Sequence, residues 1–234
     1  MPVSASSLRR GEQVMPGSQP SFWDYASSNW QRLLELAQEH LLVSVIALGF
    51  GTVLGISLGL LSFFVPRLRA VVLSTTAVIL TIPSLALYAL LLGIVGLGVL
   101  PVIIALTLYS LLPIVRNTVA GLDGVDPAIV EAAKGQGMSA TMRLLRVRLP
   151  LAWPVILTGV RVSAVMIIGI ATLGAIVNGP GLGSLILEGL RRVGTPVAVH
   201  MAIAGTLGVV LLGVLVDLMF ILLARVTTLR GIRD

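Results

Sequence analysis

The stretch EAAKGQGMSATMRLLRVRLP, residues 131–150, is polar and basic and lies between long apolar segments. The chain as a whole is 56% hydrophobic and only 11% charged, and its mean hydropathy is +1.04. In a typical soluble domain about a quarter of the residues are charged. The composition therefore indicates an integral membrane protein, in which residues 131–150 form a hydrophilic element between membrane spans.

The apolar segments on both sides of this element predict five membrane-spanning helices. Residues 41–65 carry no charge over 25 positions, and a span needs about 20 apolar residues. Residues 70–115 are uncharged over 46 positions. One helix of that length would measure roughly 69 Å, more than twice the membrane thickness, so this run must hold two spans. The break is marked by Gly93, Gly96, Gly98 and Pro101. The predicted spans are 41–65, two within 70–115, 151–177 and 197–223.

Lys and Arg residues are twice as numerous on one side of the predicted spans as on the other. Cytoplasmic loops carry the excess of these residues. We therefore expect a multi-pass protein of the cell (cytoplasmic or inner) membrane, with the N-terminus outside and the C-terminus in the cytoplasm. The net charge of +6 follows from this bias and does not indicate nucleic-acid binding. The cytoplasmic cations are Arg67, Arg69, Arg116, Lys134, Arg143, Arg146, Arg148, Arg225, Arg230 and Arg233; the outer ones are Arg9, Arg10, Arg32, Arg191 and Arg192.

Several function classes are excluded by what the sequence lacks. With no cysteine, the chain has no disulfide, thiolate zinc site or thiol nucleophile. It also lacks the G-x-x-x-x-G-K-S/T, G-x-S-x-G and H-E-x-x-H motifs, so we expect a non-catalytic chain without a metal site. An ion-coupled secondary transporter should carry several intramembrane acids, whereas Asp217 is the only acid within the predicted spans.

The segments outside the spans are predicted as follows. Residues 1–27 are rich in Ser, Gly, Gln and Pro and look loosely ordered. Residues 28–40 predict an amphipathic helix at the outer membrane interface, since apolar residues recur there at helical spacing. A water-exposed extension of the first span is the alternative. Residues 41–223 form the five-span domain, with a cytoplasmic loop at 116–150 and a cytoplasmic tail at 224–234.

The cytoplasmic loop predicts two short helices. Asp126 followed by Pro127 is a strong helix start, because the carboxylate can cap the helix and the proline ring fits its first position. Glycines at 135 and 137 end this helix. Ser139 can cap a second helix, and Pro150 is expected to bar its continuation into the next span.

At this point the loop resembles a known family. The signature of permease subunits of ATP-binding-cassette importers is E-A-A, three residues, G, nine residues, an aliphatic residue, one residue and L-P. It is met here by Glu131, Ala132, Ala133, Gly137, Val147, Leu149 and Pro150. The five-span plan resembles the small methionine-type (MetI-like) permeases, an all-α fold of type I importers. The segments TIPSLALYALL and ATLGAIVNGPGLGSLI look like those of glycine betaine, carnitine and choline permeases.

The resemblance implies a function and a set of partners. The chain would form the translocation path for a small solute, an osmoprotectant such as glycine betaine, choline, carnitine or proline, or alternatively another solute such as an amino acid. Its partners would be a cytoplasmic ATPase dimer, a second permease (identical or paralogous), an extracytoplasmic solute-binding protein and the lipid bilayer. No cofactor belongs to this chain, because ATP and Mg would bind the ATPase. The residues implied in coupling to the ATPase are Asp126, Pro127, Glu131, Ala132, Ala133, Gly137 and Pro150, although Asp126 also reads as a simple helix cap.

Five residues are candidates for the translocation path or its gate. Pro83 interrupts the second span and frees backbone groups, which are tolerated where they face protein or a wet cavity. A packing kink without solute contact is equally compatible. The glycine-rich segment after the fourth span resembles a flexible loop near the family's gate, followed by a short re-entrant helix; an ordinary extracellular turn is the alternative. The candidates are Pro83, Tyr88, Tyr109, Gly174 and Asn178.

Two charges are predicted inside the membrane. Arg161 lies in the fourth span and Asp217 in the fifth, and isolated charges at such depth are costly, so we expect them to pair. A structural ion pair and a role in solute passage or gating both fit this position. His200 lies near the outer end of the fifth span and is expected to be an interfacial polar residue rather than a proton relay.

Overall fold

The computed structural model describes residues 21–227, and every regular element among them is helical. This agrees with the all-α class predicted from hydropathy. The helices are α1 (Phe22–Ser28), α2 (Trp30–Phe64), α3 (Pro66–Thr81), α4 (Ser84–Val95), α5 (Val99–Asp123), α6 (Pro127–Gly135), α7 (Ala140–Arg143), α8 (Leu149–Ala171), α9 (Gly183–Arg191) and α10 (Pro196–Thr227). A π-helical turn (Leu144–Arg148) joins α7 to α8, and a 3₁₀ turn (Thr172–Val177) follows α8.

Four helical segments in the described part of the chain are long and apolar enough to cross a membrane. They are α2, α5, α10 and the continuous segment Ala140–Val177 that contains α8. Helices α3 and α4 add a fifth span when the pair is counted as one, although they are bent by 98° relative to each other. The predicted break in the run 70–115 is confirmed at Gly96 and Gly98, whose φ angles of 80° and 113° suit glycine.

The bend between α3 and α4 lies at Pro83. Helix α3 ends at Thr81, and Pro83 precedes the first residue of α4. Pro83 lacks the N–H that a continuing helix would donate to the carbonyl of Ile79. Ile82 is extended (ψ 127°), so its own carbonyl turns away from the helical direction of α3. The phenolic O–H of Tyr109 on α5 donates to this carbonyl at 2.8 Å. The second predicted span is therefore a sharply bent helix pair that is fastened to α5.

Helices α2 and α5 pack at close range along a stripe of glycines. Gly51, Gly55 and Gly59 lie at four-residue spacing on α2 and are buried. A Cβ atom placed on Gly55 would lie 2.7 Å from the Ile114 side chain, and one on Gly59 would lie 2.5 Å from Thr118. Small residues at such an interface allow two membrane helices to approach closely. This contact forms the centre of the bundle.

The N-terminal predictions need correction. Residues 22–27 were expected to be loosely ordered, but they belong to α1, because Ser21 and Asp24 form a reciprocal capping box at its start. The hydrogen bond from the Ser21 hydroxyl lowers the pKa of Asp24. Residues 28–40 do not form a separate interfacial helix: no proline or glycine occurs between Trp30 and Leu48, and α2 runs unbroken to Phe64. Residues 1–20 lie outside the described part.

Two further boundaries differ from expectation. Pro150 does not stop the helix, because the wider π-helical turn before it accommodates the missing backbone N–H and the proline ring. The Leu149 N–H bonds to the Leu144 carbonyl, five residues back. The tail predicted at 224–234 begins as the last turn of α10, which ends at Thr227; residues 228–234 are outside the described range.

Candidate functional site

Helix α6 begins as the sequence predicts. The Asp126 carboxylate accepts the backbone N–H of Ala128 at 2.8 Å, and Pro127 occupies the first helical position. This cap satisfies one of the N–H groups that a helix start leaves without a partner. Asp126 thus has a structural role in fixing where α6 begins.

The two faces of α6 differ sharply. Val130 and Ala133 are buried, and Val130 packs in a cluster with Leu122 and Ile156. Glu131 and Ala132 are exposed on the opposite side. Glu131 contacts Lys134 at 3.7 Å, and both side chains are more than 60% exposed (69% and 63%), so this ion pair adds little stability. Within the E-A-A motif, Ala133 anchors the helix and Glu131 and Ala132 face outward.

Gly137 ends α6 in a Schellman motif. The N–H of Met138 donates to the carbonyl of Ala133 at 3.2 Å, and the N–H of Gly137 donates to Lys134 at 2.9 Å. Gly137 adopts φ +80°, in the left-handed region that glycine occupies without strain. The fixed spacing between the E-A-A residues and this glycine follows from the length of one capped helix.

Two of the basic residues that follow α6 hold the loop in place. Arg143 donates to the carbonyl of Met138 at 2.6 Å. The guanidinium of Arg148 lies 5.0 Å from the centre of the Phe63 ring at the end of α2, a cation–π distance. Sequence reasoning missed both contacts. Phe63 and Arg148 are far apart in the chain, and the bond from Arg143 to Met138 depends on how the turn after α6 folds, so no sequence motif indicates either contact.

Most of the candidate path residues lie inside the bundle. Tyr88 and Tyr109 are buried to within 2% exposure, and each donates to a backbone carbonyl, Tyr88 to Ile170 at 3.3 Å and Tyr109 to Ile82 at 2.8 Å. Gly174 is packed against Val102. Pro83 is exposed at the bend. Of the five candidates, Asn178 alone lines a cavity described below, and the two tyrosines act as core residues in this structure.

The glycine-rich segment after α8 is tightly packed, contrary to the expectation of a flexible loop. Gly179, Gly181 and Gly183 are all buried. A Cβ on Gly179 would lie 2.5 Å from the Val102 side chain, and one on Gly181 would lie 2.8 Å from His40. These glycines allow the chain to pass close to α5 and α2. The predicted short helix after this segment is α9, which packs against α10: a Cβ on Gly189 would lie 2.7 Å from the Ala198 carbonyl.

Arg161 and Asp217 form the expected pair. Nε and a terminal nitrogen of Arg161 donate to the two carboxylate oxygens of Asp217 at 2.6 and 2.7 Å. Such a two-pronged contact between guanidinium and carboxylate neutralises both charges in one plane. The two side chains remain 38% and 35% exposed on the surface of the single chain. They join α8 to α10 within the membrane-spanning region.

At the opposite end of the bundle from α6, α1 covers the start of α10. His200 lies near the rings of Phe22 and Tyr25, with centroids 6.3 and 6.2 Å apart. Burial raises the pKa of the Tyr25 phenol. His200 thus lies under α1 among aromatic rings. Across residues 21–227, no three His, Asp or Glu side chains come together in a way that could hold a metal ion.

The family of the chain follows from comparison with known proteins. The family described as binding-protein-dependent transport system inner membrane component matches residues 51–228. The chain belongs to this family. The match includes the whole of α3 to α10 and all three glycines of the stripe on α2, so the helix that carries the E-A-A motif and the helices that carry the ion pair lie within the matched residues.

Relatives of this inner membrane component are named as osmoprotectant permeases. Osmoprotectant import permease protein OsmW of Salmonella typhimurium is 39% identical over 214 residues, which cover 89% of this chain and 98% of OsmW. The glycine betaine/carnitine/choline transport system permease proteins OpuCB and OpuCD of Bacillus subtilis are 34% identical over 209 residues and 40% identical over 195 residues. They cover 89% and 83% of this chain, and the matches span 94% and 83% of their own lengths.

The fold is shared with a solved ABC transporter. A chain from inward-facing crystal structures of the MetNI methionine ABC transporter superposes with a TM-score of 0.75 at 20% identity, covering 86% of this chain and 99% of that one. At this identity the likeness establishes the fold. The MetI-like fold predicted from the sequence is therefore confirmed.

Proposed function

We propose that this chain is the permease subunit of an ATP-binding-cassette importer that moves small osmoprotectants, such as glycine betaine, carnitine, choline or proline, into the cell. The family membership supports the permease role, and the names of the relatives support the solute class. In this proposal a separate binding protein delivers the solute from outside, and a second permease, identical or paralogous, completes the path between the two subunits.

In this proposal the coupling site is the exposed face of α6. The observation that carries it is that one face of α6 is packed against the bundle while the other is exposed. Val130 and Ala133 fix the helix to the bundle, and Glu131 and Ala132 project away from it. A small residue flanked by a charge on a rigid helix suits insertion into a groove of the cytoplasmic ATPase. ATP and Mg would bind that ATPase dimer, and this chain would carry no catalytic step of its own.

The transmission of force would depend on rigid contacts around α6. Arg143 fastens the end of α6 through the Met138 carbonyl, and Arg148 fastens the π-helical turn to Phe63 on α2. A movement of the ATPase would therefore reach α2 and α8 together. ATP can favour one conformation of the spans only by the difference in the ATPase's affinity for the two conformations.

The orientation proposed from the charge bias puts α6 in the cytoplasm. Arg67, Arg69 and the basic residues of α7 and the π-helical turn then lie on the inner side, and Arg32, Arg191 and Arg192 on the outer side. Attachment of a small fluorescent protein after residue 234 tests this orientation: it should fluoresce in the cytoplasm, whereas an exported tag would contradict it.

The proposed function is tested by reconstitution. The chain is purified with its co-encoded ATPase and binding protein and placed in proteoliposomes, and uptake of radiolabelled glycine betaine and choline is measured. We expect uptake that requires both ATP and the binding protein. Hydrolysis stimulated by the binding protein only with a different solute would contradict the osmoprotectant class, and failure to bind any ATPase would contradict the permease role itself.

A further inference from the structure

A polar cavity lies beside α9, at the end of the bundle away from α6. Its volume is about 340 Å³, and it lies between the 3₁₀ turn after α8 and one face of α9. Ser184, Glu188 and Arg191 face it, at the spacing that aligns side chains on one side of a helix. Asn178 lines the opposite wall. Small-molecule sites range from about 300 to 1,000 Å³, so this cavity suits a solute of amino-acid size.

Among the described residues, the charges around this cavity leave one cation free. Glu188 is engaged on both oxygens: Arg32 contacts one at 2.6 Å and Arg192 the other at 2.6 Å. Arg191 makes no ion pair and no side-chain hydrogen bond with any residue from 21 to 227. Ser184 already donates its hydroxyl to the Gly181 carbonyl at 2.8 Å. Within residues 21–227, the donors that remain available to a ligand are the guanidinium of Arg191 and the amide of Asn178.

Asn178 is held in a conformation that few residues adopt. Its φ of 57° and ψ of 33° lie in the left-handed region, and it is the only residue other than glycine with a positive φ in the described part of the chain. Asparagine is among the few residues that tolerate this region. Glycine would do so with less strain but would offer no side-chain donor. The backbone therefore places a residue with an amide side chain at the cavity wall.

We infer that this cavity binds the carboxylate of a transported betaine, with Arg191 and Asn178 as its donors. An arginine fork matches a carboxylate geometrically and gives strong, charge-assisted hydrogen bonds. The apolar part of the wall, formed by Ala175 and Leu187, would meet the methyl groups of a quaternary ammonium. None of the described residues that line the cavity is aromatic, so they offer no cation–π cage for the ammonium, and recognition depends on the carboxylate.

This inference rests on the proposed function and refines it. On the proposed orientation the cavity opens at the outer end, where a binding protein would release the solute. Carboxylate-bearing betaines would gain a contact during transfer that choline, an alcohol without a carboxylate, cannot make. The permease would then favour one solute class over the other independently of the binding protein.

The test uses the full importer in proteoliposomes with saturating binding protein, so that the maximal uptake rate reports on the permease. Arg191→Gln should lower the maximal uptake of glycine betaine roughly tenfold, as loss of one charge-assisted contact allows. Arg191→Lys should restore part of the rate. Asn178→Gly keeps the backbone conformation, removes the amide and should also lower it. Choline uptake, where the unmodified complex carries choline, should change by less than about twofold.

The comparison variant is Arg192→Gln, which removes the same charge at the same end of α9; Arg192 pairs with Glu188, and Glu188 faces the cavity, so this variant also frees a carboxylate oxygen there. The affinity for the binding protein is therefore measured for both variants. A loss of glycine betaine uptake in Arg191→Gln that is accompanied by an equal loss of binding-protein affinity would overturn the inference, because it would reflect surface charge in docking. An unchanged rate in Arg191→Gln would overturn it too. Liposomes without anionic lipid separate an anionic lipid headgroup from the solute: an effect of Arg191→Gln that disappears in them would assign Arg191 to anionic lipid and overturn the inference.

The proposed function fails in a different way. An unmodified complex that imports neither glycine betaine nor choline contradicts that function and this assignment together. A complex that imports glycine betaine normally and is insensitive to Arg191→Gln contradicts the cavity assignment alone.

Discussion

Tyr109 on α5 donates its phenolic O–H to the main-chain carbonyl of Ile82 at 2.8 Å, at the point where α3 ends before Pro83. The bend of 98° between α3 and α4 leaves this carbonyl without a helical donor. In an apolar surrounding an unpaired carbonyl is costly. The hydroxyl of Tyr109 thus stabilises the bend, because it supplies the hydrogen-bond donor that the Ile82 carbonyl would otherwise lack.

Tyr109→Phe should therefore destabilise the protein by about 1–3 kcal/mol, because it leaves the Ile82 carbonyl unpaired while keeping the ring. Thermal unfolding in detergent, followed by size-exclusion of a fluorescent fusion, measures this loss. Tyr88→Phe is the matched control, since its longer contact of 3.3 Å to Ile170 predicts a smaller effect. Equal melting temperatures for Tyr109→Phe and the unmodified protein would rule out the stabilising role.

Gly55→Leu should prevent α2 and α5 from packing. A Cβ at this position already meets Ile114 at 2.7 Å, and overpacking a membrane interface costs at least about 1–3 kcal/mol. We expect a loss of monodisperse protein after extraction. Gly49→Leu is the control, because no atom of the described residues lies within 4 Å of a Cβ there. Comparable yields from both variants would contradict the close α2–α5 contact.

Gly137→Val should uncouple ATP hydrolysis from transport. A branched side chain is strained at φ +80°, by roughly 1–2 kcal/mol, and relief of the strain would shift the end of α6. Binding-protein-stimulated hydrolysis is the readout. Gly137→Asn should retain more of it, since asparagine tolerates this region. Gly135→Ala, at an open position without a positive φ, should behave normally. If it were as defective as Gly137→Val, the cause would be the added side chain on the surface of α6 and not strain in the turn at Gly137.

Ala132→Trp and Ala133→Trp should fail in different ways. Ala132 is exposed, so a bulky side chain should block docking of the ATPase and lower coupled hydrolysis roughly tenfold, equivalent to about 1.4 kcal/mol, with no change in melting temperature. Ala133 is 6% exposed, so the same change should reduce the amount of folded protein. Co-purification of the ATPase separates the outcomes. Retained ATPase binding by Ala132→Trp would show that this face of α6 is not the docking surface.

Asp217→Asn should lower the yield of folded protein, because it leaves Arg161 charged and unpaired within the membrane-spanning region. The double variant Arg161→Leu and Asp217→Leu should recover the yield, since both charges are removed together. Uptake then decides the role. A recovered yield with normal uptake indicates a structural pair, whereas a recovered yield without uptake indicates that the charges act in solute passage or gating.

The positions of the spans and the start of α6 could be predicted from the sequence alone. The uncharged runs and the glycines at 96 and 98 are local features: the length of an apolar run decides whether it can cross the membrane, and glycine breaks the helix where it occurs. The cap by Asp126 and the turn at Gly137 are also local, because every partner lies within a few residues. The expected pairing of Arg161 with Asp217 followed from the cost of isolated charge in a membrane.

Other features were decided by the tertiary structure. The passage of the helix through Pro150 depends on a π-helical turn that the residue pattern does not indicate. The run of glycines after α8 predicts a flexible loop. In the structure these glycines are buried against α5 and α2, two helices that only the folding of the chain brings near them. The roles of Arg143 and Arg148 likewise depend on backbone and ring partners supplied by the folded loop and by α2.

The sequence by itself therefore determined that this chain is a multi-pass membrane protein with a hydrophilic loop, because hydropathy and capping act over short stretches of chain; the E-A-A motif of that loop supplied the resemblance to importer permeases. The tertiary structure decided which motif residues face outward, which side chain donates to the free carbonyl at the Pro83 bend, and that Asn178 and Arg191 share one cavity. Each of these depends on contacts between helices that are distant in sequence, and the energies of such contacts arise only when the helices pack together.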